Sequence, residues 1–154
     1  SGKAVIDHGK CVGCGQCMAI CPKDAIGASY NAEAGLLDRK MAEYAAAVLL
    51  NKPSFHISLV MDVSPYCDCH PENDAPIVPD VGMFASFDPV ALDQACADAV
   101  NQQVPLMNSI LSERNLCHDD HFHDVSPSTN WNIQLDHSVK LGLGTRKYEL
   151  ITVK

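Results

Sequence analysis

The sequence has few basic residues: 11 Lys and Arg stand against 19 Asp and Glu, a formal net charge of −8. A phosphate backbone needs a basic face to displace its counterions, so this balance excludes nucleic acid as a partner. Long apolar runs are missing too. No stretch of about 18 apolar residues occurs, which excludes a helical membrane span and predicts no membrane partner. The start has no basic segment followed by an apolar one, so the sequence predicts no secretory signal and a cytoplasmic location. Phosphate-cradling and nucleophile motifs are also lacking: there is no G-x-G-x-x-G after a strand, no G-x-x-x-x-G-K-[ST] and no G-x-S-x-G. Leu141-Gly142-Leu143-Gly144 has two glycines of a nucleotide fingerprint, but it follows a predicted helix rather than a strand. Nor does the composition resemble a disordered chain. With 47% hydrophobic and 19% charged residues over 154 positions, it suits one domain, or a small module plus one domain, with a real core.

Cysteine is what the chain has in quantity: eight in all, four of them within Cys11-Val12-Gly13-Cys14-Gly15-Gln16-Cys17-Met18-Ala19-Ile20-Cys21-Pro22. The spacing C-x2-C-x2-C-x3-C-P is the bacterial ferredoxin signature for a cubane [4Fe–4S] cluster. Two residues between thiolates let a tight loop wrap three corners of one cubane while backbone N–H groups face the sulfurs. Gly13 and Gly15 make that wrap easier, because a residue without Cβ takes φ > 0 at little cost. Disulfides or a structural zinc site are the competing uses of such cysteines. Without a secretion signal, thiolate ligands in a reducing compartment are expected instead of disulfides.

Along the chain, Ala4–Asp7 reads as a short strand feeding the cysteine run, and Ile20–Ile26 as a short helix and turn leaving it. This ferredoxin-type module spans residues 1–31. From Gly35 the pattern Leu37, Met41, Tyr44, Val48 marks an amphipathic helix, stopped by Asn51 and Pro53. A strand follows at 55–61, with His56 on its alternate face as a surface or satisfied histidine. Residues 62–80 carry four prolines, five carboxylates and Cys67-Asp68-Cys69-His70, which excludes regular structure and marks a loop able to carry chemistry. Val81–Ser86 is a second strand. Asp88-Pro89 opens a helix to about residue 103, with an N-cap carboxylate and proline at the first helical position, and Cys96 falls on its core side. A short helix is expected over Leu106–Leu111.

Cys117-His118-Asp119-Asp120-His121-Phe122-His123-Asp124 has the donors for a divalent metal, but reads first as a solvated loop. A helix over 131–141 ended by Gly142 and Gly144, then a strand over 147–153, close the chain. Alternation of strands and helices predicts an α/β fold, with α+β the variant: a layered domain over 35–154 with at least three strands and some parallel pairing, attached to the small cluster loop.

The fourth thiolate of the cluster is ambiguous. In ferredoxin loops the fourth cysteine of the run serves the other cluster of a pair, and no cysteine occurs between Cys21 and Cys67. Cys11, Cys14 and Cys17 therefore need either Cys21 on a remodelled turn, or Cys67 or Cys69 from the irregular loop. A second cluster or separate metal held partly by Cys67, Cys69 and His70 is the remaining arrangement.

Beyond the cysteine run, Asp-Val-Ser-Pro-Tyr-Cys-Asp-Cys-His at 62–70, Asp-Ala-Pro-Ile-Val-Pro-Asp-Val-Gly at 74–82, Phe-Asp-Pro-Val-Ala-Leu-Asp-Gln-Ala at 87–95 and Leu-Gly-Leu-Gly-Thr-Arg-Lys-Tyr-Glu-Leu at 141–150 occur in order. Together they resemble the iron–sulfur, ferredoxin-like proteins catalogued as domain of unknown function 362. The resemblance implies a [4Fe–4S] group on Cys11, Cys14, Cys17 and Cys21. Members usually have an N-terminal portion of comparable size ahead of the run. The resemblance thus implies either a C-terminal half, with the missing N-terminal half as a partner, or a short form; a redox partner protein belongs to the electron-transfer reading below.

One-electron transfer by a ferredoxin-like module is the leading functional expectation, and an enzyme is the less favoured one. An enzyme would use Asp68, His70, Asp74 and Asp80 on the 62–80 loop as acid, base or metal ligands, and should show a pocket with convergent polar groups. A purely structural cluster is the third alternative.

Overall fold

A computed structural model of the chain describes residues 5–11, 15–23, 25–26, 35–67, 73–114 and 119–153. They belong to two compact units, Ser1–Ala32 and Glu33–Lys154. In the first, the described residues contain one short helix, α1 (Gln16–Ile20). It precedes the position expected for a helix, and Val5–Asp7 forms no strand.

The second unit is mixed helix and sheet, as the α/β or α+β expectation requires. Helix α2 (Leu36–Leu49) is followed by strand β1 (His56–Val60), strand β2 (Gly82–Ser86) and helix α3 (Pro89–Asn101). Helices α4 (Ile110–Glu113), α5 (His121–Val125) and α6 (Asn132–Lys140) complete it. The strands pair antiparallel, with His56 opposite Ser86 and Val60 opposite Gly82. The expected parallel pairing is therefore not found, and the cause lies in the connection. Among the described residues of 61–81 there is no crossover helix. They fold back beside the strand ends through Ile77 N–H to Val63 O (2.8 Å) and Val81 N–H to Val60 O (2.8 Å), which makes a broad hairpin. The third strand expected at 147–153 is not assigned either: from Glu149 to Val153 no backbone group bonds to a described residue.

Period-two alternation sorts the sheet into two faces. His56, Ser58, Val60 and Phe84 point toward α3, where Val60 and Phe84 join a core with Ile77, Val78, Val100 and Leu111. Ile57, Leu59 and Met83 on the other face are 60%, 64% and 69% exposed, so only one face is covered. Helix α2 departs from expectation in the same way. Its stripe Leu37, Met41, Tyr44, Val48 faces solvent, while Ala42 is buried, because the helix packs on α6 through small residues. Gly35 explains how closely they approach. Its φ is 78°, and a Cβ there would stand 2.6 Å from Ile133 Cδ1, so both conformation and contact demand glycine.

The α3 cap forms as the sequence predicts. Asp88 Oδ1 accepts the N–H groups of Val90 and Ala91, both at 2.9 Å, with Pro89 at the first helical position. Its other oxygen accepts Thr145 N–H at 2.8 Å and so fixes the chain after α6. Gly144 is obligatory beside it, since a Cβ would fall 1.9 Å from Asp88 Oδ1. Farther on, Arg146 bonds Gln94 (2.6 Å), Asp136 (2.7 Å) and Asn132 (2.5 Å) and lies 5.5 Å over the Trp131 ring. Tyr148 Oη donates to Asp98 at 2.8 Å.

Two substitutions test this frame. Gly35→Ala should cost about 1–3 kcal/mol in denaturant unfolding, from the disfavoured φ and the displaced Ile133. Asp88→Ala removes the cap and the tie to Thr145 together, and should cost about 1–3 kcal/mol with increased amide exchange at both Val90 and Thr145.

Candidate metal centre and a polar groove

In the first unit, Asp7 starts the cysteine loop. Its carboxylate accepts Gly9 N–H at 3.0 Å and its carbonyl accepts the N–H groups of Lys10 and Cys11, both at 3.0 Å, so Cys11 is delivered by a tight turn. Gly15 stands at φ 72° as the residue before α1, with nothing within 4 Å of a built Cβ, so its requirement is conformational. That matches the sequence argument for Gly15. Gly13 and Cys14 lie outside the described residues. Cys17 is exposed on α1, and Cys21 ends the helix with its N–H on Met18 O at 3.3 Å.

Cys21 has the most distinctive environment of the three described thiols. Backbone N–H groups of Lys23 and Ala25 hold its pKa below the ordinary thiol value; desolvation opposes them weakly and Ile26 N–H adds to them. N–H donors aimed at sulfur favour a thiolate, the form that binds metal. Cys11, Cys17 and Cys21 are all free thiols. Among the described residues, no three His, Cys, Asp or Glu side chains come together as a metal site. The donor type and the N–H groups at Cys21 fit a thiolate-bound cluster.

The 62–80 loop is pinned by its own side chains. Asn73 accepts Tyr66 N–H at 3.2 Å and donates to Tyr66 O at 3.1 Å, tying these two described residues together. Cys67 is exposed. Asp68, Cys69 and His70 lie outside the described residues. Asp80 accepts Asp62 N–H at 2.9 Å, where Asp62 has φ 48°, and Asp74 accepts Ala75 N–H at 2.8 Å. Both carboxylates thus hold turns.

Of the 117–124 stretch, the described residues 119–124 do not form the solvated loop expected. Asp120 accepts the N–H groups of Phe122 and His123 and caps α5, which buries His121 with Nε2 donating to Gln103 O at 2.9 Å. Trp131 Nε1 donates to Asp120 Oδ2 at 3.0 Å. His123 is at the surface, whereas His121 is buried; Cys117 and His118 lie outside the described residues.

A second chemical grouping was missed by the sequence analysis. His56 and Ser58, two apart on β1, face Asp93 and Cys96, three apart on α3. A cavity of about 470 Å³ opens beside Tyr44, Val48, His56, Ser58 and Asp93, and another of about 210 Å³ is lined by Asp93, Cys96, Phe122, Trp131 and Leu135. Asp93 keeps a solvent-facing side, yet the protein packed around it raises its carboxyl above the usual range, and the His56 charge opposes that rise. Burial also pushes the Cys96 thiol up, against a hydrogen bond with Ser58, while the Asp93 charge adds to the rise. Cys96 retains the small core role expected of it, with its sulfur at the cavity wall.

With this geometry in place, the comparisons give a family. The chain belongs to the family described as Domain of unknown function (DUF362), which matches residues 8–98, from the cysteine run into α3. No curated protein and no solved structure matches it. No helix of the described residues is long and apolar enough to cross a membrane.

Asp93 supplies a pH test. A carboxyl raised by folding binds more protons in the folded state, so its contribution is fully present below the ordinary carboxylate pKa and is lost as pH rises through the elevated one. Asp93→Asn should therefore raise the melting temperature at pH 7 and leave it nearly unchanged at pH 3.5, measured by thermal denaturation at both values.

Proposed function

We propose that the N-terminal run binds one [4Fe–4S] cluster and that the protein is a ferredoxin-like redox module. The observation that carries this reading is the C-x2-C-x2-C-x3-C-P spacing, supported by Gly15 at φ 72° between the second and third cysteines and by the N–H groups directed at Cys21. Cys11, Cys14, Cys17 and Cys21 are the ligands in this proposal. The cluster would supply one-electron chemistry, and the chain would tune it through thiolate donation and N–H···S contacts. Cys21 as fourth ligand is favoured over Cys67, because its sulfur already sits among backbone donors suited to a thiolate. A reducing cytoplasm and a redox partner protein belong to this reading, because thiolate ligands persist in a reducing compartment and a one-electron carrier needs a donor or acceptor.

A catalytic role for the 62–80 loop is the weaker alternative. Asp74 and Asp80, two of its candidate acids, already hold backbone N–H groups.

Anaerobic reconstitution tests the proposal. It should give a brown protein with about four iron and four sulfide per chain and a reduced-state paramagnetic resonance signal. Cys11→Ala, Cys14→Ala and Cys17→Ala should each lose or convert the cluster, Cys21→Ser should destroy its four-iron signal, and Cys67→Ser should leave it intact. A full cubane signal in all three alanine variants would refute cluster binding by this run. Loss of the cluster in Cys67→Ser with retention in Cys21→Ser would instead transfer the fourth ligand to the loop.

A further inference from the structure

The segment 148–153 has a strand's sequence but no strand's partner. Tyr148-Glu149-Leu150-Ile151-Thr152-Val153 is rich in β-branched and aromatic residues, the type that favours a pleated and half-buried surface. Yet it stands across a cavity of about 590 Å³ from β2, with Ala91, Leu92 and Ala95 of α3 on the cavity wall. Consecutive residues line both long sides of this slot, 81–86 on one and 148–153 on the other. β2 has β1 on one edge and no ladder partner on the other among the described residues, and Glu149–Val153 makes no backbone bond to any of them. Two unpaired edges facing one slot call for an extended chain that bonds to each.

We propose that a second copy of this chain fills the slot with its own 148–153 segment, in a two-fold symmetric exchange. The segment that walls one copy's slot enters the other copy's slot, so the strand order becomes β1, β2, partner's segment, own segment, partner's β2, partner's β1. This arrangement closes on itself. Each inserted segment lies between β2 of the other copy and that copy's segment, both edges of both segments are paired, and neither slot is left open. It also covers Leu150, Ile151 and Val153, which are 60%, 75% and 89% exposed in the single chain. The small Ala91 and Ala95 side chains on the wall leave room for those of the incoming strand.

Sedimentation analysis of the full 154-residue chain over a range of concentrations, with amide hydrogen exchange, tests this. A monomer–dimer equilibrium is expected, with the amides of 149–153 and those of 83–86 that do not bond to β1 protected only in the dimer. Ile151→Pro removes a donor from the inserted strand, and Ile151→Lys places a charge in it. Each should weaken the dimer at least about tenfold. Circular dichroism and melting of the monomer should be unchanged, because Ile151 is exposed there. Leu59→Lys, on the open sheet face, should leave the dimer intact. A chain that stays monomeric at every concentration overturns the proposal, as does a dimer indifferent to both Ile151 variants or one dissolved by Leu59→Lys.

Discussion

One carboxylate organises the second unit. Asp88 gives one oxygen to the first turn of α3 and the other to Thr145, so the helix covering the sheet and the strap following α6 share a single anchor. Helix N-terminal N–H groups and a loop N–H both favour an anionic acceptor, which makes a carboxylate far better here than an amide or hydroxyl. The cost is steric. The loop must approach closely enough for Thr145 to donate, and Gly144 is the residue that permits it. Once the strap is placed, Arg146 spreads its planar fork over Gln94, Asp136 and Asn132 while stacking on Trp131, a set of contacts lysine could not reproduce.

This anchoring gathers the core of the second unit on one side of its sheet. The core lies between the inner sheet face, α3 and the helices after it, whereas Ile57, Leu59 and Met83 on the outer face and Met41, Tyr44 and Val48 on α2 remain open to water. Isolated exposed apolar residues are ordinary on proteins, but a sheet face and a helix stripe together are surfaces of the kind that another layer covers. The second unit is accordingly a mixed helix-and-sheet domain with one sheet face covered among the described residues.

What could be read from the sequence was what local chemistry decides. Asp88-Pro89 marked the start of α3 because an acceptor followed by a residue lacking N–H has few other uses, and Gly15 took the positive φ expected of it. The stripe on α2 was legible as a period but not as a direction. Periodicity shows that a helix has an apolar face; it does not show that Ala42 would pack on α6 and turn that face outward. The segment 147–153 illustrates the same limit for strands, since propensity is realised only when another edge lies alongside. Parallel pairing failed for a topological reason: strands joined by a folded-back loop meet antiparallel, whatever helices surround them. The grouping of His56, Ser58, Asp93 and Cys96 was invisible because it joins two elements separated by β2, and its parts are unremarkable until strand and helix are packed.

The two groups of thiols differ in ways that follow from their surroundings. Cys11, Cys17 and Cys21 lie on turns and a short helix, where backbone N–H groups are free to face sulfur and, at Cys21, favour the thiolate. Cys96 lies on a long helix whose N–H groups are committed to its own ladder, and burial favours the neutral thiol. The thiolate is the metal-binding form of cysteine, so Cys21 is disposed as the proposed ligation requires and Cys96 as packing requires. The division comes from backbone geometry. Turns leave N–H groups available to an anion, and a continuous helix does not.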